Sequence, residues 1–190
     1  MADHYQEQRE AEHFVNKTST PESDKDSWQT PIELFNALDM EFNFVLDACA
    51  SEKNALCKLY FTKERCAINN DWYDLLADFD QFQRGSVFIN PPYSMTREFL
   101  HAARIEAKDL NITVVALVNA NTDTKWFAEA VETANEIRLI TGRVGFVRAD
   151  GKKANGNTKG QCLIIWRGNC ETPCQITMVD RDQLLADGDI

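Results

Sequence analysis

Apolar residues fall along this chain in short blocks, and the spacing within each block indicates a helix or a buried strand. After a polar opening of mixed charge, residues 1–26, Trp28-Gln29-Thr30-Pro31 leads into Ile32, Leu34, Phe35 and Leu38. That is helical spacing, with Thr30 in the capping position and Pro31 opening the first turn. Phe42 to Leu46 is an apolar run ending in Asp47, the pattern of a buried parallel strand with a polar group at its carboxyl end. Ser51 then stands where it would cap a second helix with Ala55, Leu56, Leu59 and Tyr60 on its inner face, and any strand within 62–70 is short. Val87-Phe88-Ile89 predicts a strand stopped by Asn90-Pro91-Pro92, because two prolines cannot continue a central ladder. Thr96 caps a predicted helix from Arg97 to about Lys108 with Phe99, Leu100, Ala103 and Ile105 inward, and Ile112 to Val118 is the clearest buried strand. A helix from Asp123 to about Ala134 turns Trp126, Phe127, Ala130 and Val131 inward. Strands at Glu136–Ile140 and Cys162–Trp166 follow, with a short one at Val144–Val147 between them.

Strands alternating with helices predict an α/β fold: a doubly wound, mostly parallel sheet that ends in an antiparallel C-terminal strand pair. The expected organisation is a disordered or loosely ordered arm over 1–26, one domain over 27–168 and an acidic C-terminal extension over 169–190. Ligands of such sheets lie beyond the carboxyl ends of the strands, which here carry Asp47, Asn90 and Asn119 to Asn121.

Composition changes this picture in two places. No apolar stretch approaches the roughly 20 residues needed to span a bilayer, and no signal-peptide core is present, so a cytoplasmic protein is expected. Six irregularly spaced cysteines with few histidines read as reduced, packed thiols, with no metal site. The net charge is −10, yet Arg138 to Arg167 holds seven cations against the single anion Asp150. An acidic body with one basic segment meets nucleic acid weakly and with strong salt dependence.

Asn90-Pro91-Pro92-Tyr93 at a strand exit carries the sharpest chemistry. An exocyclic amine on a planar ring is a poor nucleophile because its lone pair is spread into the ring. The Asn90 side-chain oxygen and the Pro91 carbonyl can accept both of its N–H bonds and draw the nitrogen toward tetrahedral geometry. The two prolines hold these acceptors in place beforehand, and Tyr93 offers a flat face to a base extruded from a duplex. Asp47-Ala48-Cys49-Ala50 combines an acid with small residues, suited to a cationic amino-acid moiety and equally to a simple strand stop or helix cap. Asp71 before Trp72 could hold an adenine amino group against an aromatic side chain, or be an ordinary loop carboxylate. Arg143, Arg148, Lys152, Lys153 and Lys159 read as phosphate contacts, with Asn155, Asn157 and Gln161 at base edges, or else as a solvated loop.

Taken together and in order, Trp28-Gln29-Thr30-Pro31, Leu46 to Ala50, Asn54-Ala55, Asp71-Trp72, Asn90 to Tyr93, Thr122 to Thr124, Trp126-Phe127 and Gly142-Arg143 resemble the phage-type DNA N6-adenine methyltransferases. The resemblance runs from about Trp28 to Trp166. It implies a class I methyltransferase sheet and transfer of a methyl group from S-adenosyl-L-methionine to a flipped adenine in double-stranded DNA. It also implies cofactor contacts at Thr30, Pro31, Asp47, Ala48, Cys49, Asp71 and Asn90, and catalysis at Asn90, Pro91, Pro92 and Tyr93. Glu64 is the nearest acid for a cofactor ribose. The motif leaves two other readings open: methylation of another planar nitrogen (protein glutamine, RNA guanine or cytosine N4), or a non-catalytic acidic binder that mimics DNA.

Overall fold

The computed structural model describes residues 26, 28–77, 85–148, 150–153 and 158–189. The arm expected over 1–26 therefore lies outside the described residues, except for Asp26, as do Asn155 and Asn157. Helix α1 (Ile32–Phe42) buries Leu34, Phe35, Ala37, Leu38 and Phe42. It stops because Asn43 turns left-handed, at φ 52°, and returns its N–H to the Asp39 carbonyl. The Asp39 carboxylate also accepts the Phe44 N–H at 2.6 Å, so one residue, through its backbone and its side chain, holds both the helix end and the start of β1 (Phe44–Asp47). Next come β2 (Leu59–Tyr60), α2 (Trp72–Leu76), β3 (Ser86–Ile89), a single 3-10 turn (Tyr93–Met95) and α3 (Thr96–Asp109). The order closes with β4 (Thr113–Asn119), α4 (Lys125–Thr133), β5 (Glu136–Thr141), β6 (Gln161–Arg167), β7 (Gln175–Asp180) and α5 (Arg181–Asp187).

The seven strands form one sheet in the order β2-β1-β3-β4-β6-β5-β7. Only β6 runs antiparallel to its neighbours, inserted between β4 and β5; the other pairs are parallel. β1 and β3 are buried along their whole length, as their unbroken apolar runs require. One face packs Leu34, Phe35 and Leu38 of α1 against Phe44, Phe88, Val115, Leu163 and Phe146, with Leu184 and Leu185 of α5 alongside. The opposite face packs Trp72 and Leu76 of α2, Phe99, Leu100 and Ala103 of α3 and Ala130 of α4. The fold is thus mixed α/β, with an antiparallel β5–β6 pair as expected. Among the described residues no helix is long and apolar enough to cross a membrane.

Several expectations change. Thr96 opens α3 and does not cap it: Met95 is the cap position, and the Thr96 hydroxyl donates to the Tyr93 carbonyl at 3.3 Å. The helix predicted after Ser51 is a turn followed by β2. There the Asn54 side-chain oxygen takes the Ser51 N–H at 2.6 Å, and the Leu56 N–H is drawn to Asp47, so the local helical spacing is overruled. Thr30 does not cap α1; Pro31 is the cap position and no side chain caps it. Val144 to Val147 forms no strand, only isolated bridges from Val147 to Gln29 and to Lys153. Ile105 is 40% exposed because it lies on the outer side of α3. Finally, residues after 168 supply β7, paired in parallel along β5, and α5, packed on α1.

Candidate active site

β1 and β3 are hydrogen-bonded neighbours, with Asp47 beside Phe88 and the Ala48 N–H donating to the Phe88 carbonyl at 2.9 Å. Asp47 and Asn90 therefore leave the sheet from adjoining strands, whose axes lie about 4.8 Å apart. Asp47 is 3% exposed. Its two oxygens accept backbone N–H groups, from Cys49 at 3.2 Å and Leu56 at 3.3 Å. Burial outweighs both bonds and pushes its pKa up to about 6. No cation pairs with it among the described residues. Ala48 is buried, Cys49 is half-buried, and burial drives the Cys49 thiol well above its ordinary range, with the Asp47 charge adding to the shift.

The Asn90 side chain is gripped from one side only. Its Nδ2 donates to the Thr30 hydroxyl at 3.0 Å and approaches the Trp28 carbonyl at 3.5 Å, while Oδ1 takes no bond among the described residues. The Pro92 carbonyl closes the 3-10 turn by accepting the Met95 N–H at 3.0 Å, and the Pro91 carbonyl is outside that turn bond. Asn90 Oδ1 is thus an acceptor left unbonded among the described residues at this strand exit, with the buried Pro91 directly after it. Tyr93 packs edge-on against Trp28, with centroids 6.0 Å apart. Its hydroxyl is buried and approaches Asn119 without completing a hydrogen bond. Burial holds the phenol neutral, with its pKa up to about 12.

The segment before α1 joins this site to the basic loop. Gln29 exchanges two backbone hydrogen bonds with Val147, at 2.7 and 2.9 Å, and Trp28 stacks on Phe146 at 6.1 Å. Beyond Val147 the chain turns tightly through Gly151, at φ +79°, so that Val147 also bridges Lys153. Arg143, Arg148, Lys152, Lys153 and Lys159 are all exposed. Arg148 and Lys152 lie 3.9 and 4.0 Å from Asp150, and the Lys159 Nζ donates to Asn121 at 3.1 Å. An amide oxygen on the strand next to a buried acid, with a cationic loop tied to the preceding segment through Gln29 and Val147, is suited to methylating an amine on a polyanion.

The family model for DNA N-6-adenine-methyltransferase (Dam) matches residues 17–190, nearly the whole chain. The chain belongs to this family. It is 35% identical over 157 residues to the DNA N-6-adenine-methyltransferase of Haemophilus phage HP1 (strain HP1c1), covering 80% of this chain and 85% of that protein. It is 31% identical over 167 residues to the DNA N-6-adenine-methyltransferase of Escherichia phage T1, covering 79% of this chain and 66% of that one.

Not every expected site residue of this adenine methyltransferase converges. Asp71 is exposed and caps α2 by accepting the Tyr73 N–H at 2.8 Å. Its charge is felt by Glu106, whose pKa is raised by burial first and then by Asp71 and Asp109. Glu106 belongs to the second half of α3, and no hydrogen bond joins Asp71 to Asp47 or Asn90 among the described residues. Trp72 is fully buried, its indole N–H bonded to the Ala67 carbonyl at 2.8 Å, so it packs the core and no ligand ring. Glu64 is exposed. Gln161, expected at base edges, is 1% exposed and pinned: it accepts the Val144 N–H at 3.0 Å and donates to Asn119 at 3.1 Å and to the Lys159 carbonyl at 2.8 Å. Trp126 lines a small, open hollow between α3 and α4 together with His101, Glu129 and Trp166. The contacts missed from sequence are Phe146 as the platform for Trp28, and the pair Asp26–Ser94, where the hydroxyl donates at 2.8 Å. The alternation Val144, Phe146 was the one local sign of the first.

Proposed function

We propose that this DNA adenine-N6 methyltransferase binds S-adenosyl-L-methionine at the exit of β1 and a flipped adenine of double-stranded DNA at the exit of β3. The reading includes a class I, doubly wound sheet. The observation that carries it is the placement of Asp47 and Asn90 on adjoining strand exits. The donor set fits the cofactor: a buried carboxylate, unpaired among the described residues and held near pKa 6, gains most from a cationic amino group. The small residues Ala48 and Cys49 let a ligand approach the backbone closely. The bound cofactor supplies an electrophilic methyl group.

This chain's own residues prepare the nucleophile. Asn90 Oδ1 and the Pro91 carbonyl accept the two N–H bonds of the adenine amine, pulling its lone pair out of the ring as the new N–C bond forms. Both acceptors are fixed before the base arrives, so little reorganisation accompanies reaction. Water takes the proton that the cationic product releases, and no strong base is required. Tyr93 offers its ring to the extruded base, and Arg143, Arg148, Lys152, Lys153 and Lys159 hold phosphates through the loop docked on Gln29. Thr30, Pro31 and Asp71 enter as cofactor contacts only through the resemblance.

The test incubates the purified chain with methyl-labelled cofactor and DNA, RNA or a protein extract. Label should appear in DNA, on adenine N6. Asn90→Ala should lower turnover about a hundredfold or more while leaving cofactor binding intact. Label confined to RNA or protein, or parental turnover by Asn90→Ala, would sink the reading.

A further inference from the structure

We propose that the Trp28 carbonyl selects which end of the Asn90 amide faces the substrate, and that Thr30 is the positioning residue whose hydroxyl, accepting from the same Nδ2, anchors the amide in that orientation. This rests on Asn90 acting as an acceptor, as set out above. A side-chain amide has a donor end and an acceptor end of nearly the same shape, and only its surroundings distinguish them. Here one side of Asn90 meets the Trp28 carbonyl, 3.5 Å from Nδ2, and the Thr30 hydroxyl, 3.0 Å from Nδ2. A carbonyl has no proton to give, so an amide oxygen turned toward Trp28 would face another oxygen. Nδ2 is held there and Oδ1 is presented on the opposite side. With the amide reversed, its NH2 would meet the adenine N–H bonds donor to donor, and one of the two acceptors would be lost.

Thr30 is free for this role. It precedes α1 yet caps nothing, and it is only 7% exposed. The segment that carries it is fastened at three further points: Gln29 to Val147, Trp28 between Phe146 and Tyr93, and Asp26 to Ser94. Two of these contacts, Tyr93 and Ser94, lie on the same loop as Asn90, so the orienting groups and the amide are held in one frame. Thr30 and Asn90 are 60 positions apart in sequence.

Thr30→Val keeps the shape and removes the acceptor. Its kcat on DNA should fall about tenfold at saturating cofactor, with the KM for DNA changed less than about twofold, and Thr30→Ser should restore most of the rate. The deciding measurement repeats the change in an Asn90→Asp background. A carboxylate presents an oxygen whichever way it turns, so Thr30→Val should there alter kcat by less than about twofold. Two outcomes would overturn the proposal: parental turnover by Thr30→Val, or an equal loss in both backgrounds. An inactive Asn90→Asp protein beside an active parent would instead defeat the acceptor reading of Asn90 on which the proposal rests.

Discussion

Asp47 holds a carboxylate where burial favours its neutral form, and this makes the site sensitive to pH. A carboxyl whose folded-state pKa is raised contributes stability that is complete below its unfolded value, near 4, and is lost as pH rises through about 6. The same residue works in the opposite sense for a cationic ligand, which pairs only with the ionised form. Cofactor affinity should therefore climb between pH 5 and pH 7, being about tenfold weaker at pH 5 than on the plateau. Calorimetric titration across that range checks this, and Asp47→Asn should flatten the profile as well as weaken binding. The placement of Asp47 and Asn90 at strand ends was legible in sequence because each follows a buried apolar run. The Asn90–Thr30 bond was not, since no local pattern reports a contact between residues so distant along the chain.

At the scale of elements, apolar runs located β1, β3, β4 and β6, because strands buried on both faces cannot tolerate polar interruption, whereas β5 interleaves Ile137 and Leu139 with Glu136 and Arg138. The elements that escaped notice lack that signature. β2 is two half-buried residues defined only by pairing with β1. β7 is largely exposed and is held by its hydrogen bonds along β5. α5 depends on a close approach to α1: the Asn36 Nδ2 donates to the Gly188 carbonyl at 3.2 Å, and a Cβ at Gly188 would collide with the Glu33 carbonyl. Gly188→Ala should therefore loosen α5 and lower stability by about 1–3 kcal/mol, read by denaturant unfolding. An unchanged midpoint would show that this packing contributes little. Ser51 teaches the converse lesson. Its surroundings were spaced like a helix, but Asp47 captures the Leu56 N–H and the segment becomes a turn.

For the whole molecule, the question is how a chain of net charge −10 meets DNA. The bridge between Gln29 and Val147 and the stack of Trp28 on Phe146 tie the start of the basic loop to the segment whose Thr30 bonds Asn90, so the proposed phosphate contacts and the proposed acceptor share one framework. Replacing Lys152 and Lys153 with glutamine should weaken DNA binding and flatten its logarithmic salt dependence by about one to two units. An unchanged slope in a binding titration over salt would remove the loop from the interface. The sequence by itself determined the α/β class, most strands, and the acid and the acceptor motif at strand ends, because apolar periodicity and proline are local physics. Only the tertiary structure decided the strand order, the inclusion of β7 and α5, the burial of Gln161 and the direction in which the Asn90 amide points. Each of those depends on hydrogen bonds and packing between residues far apart in the chain, which no local pattern encodes.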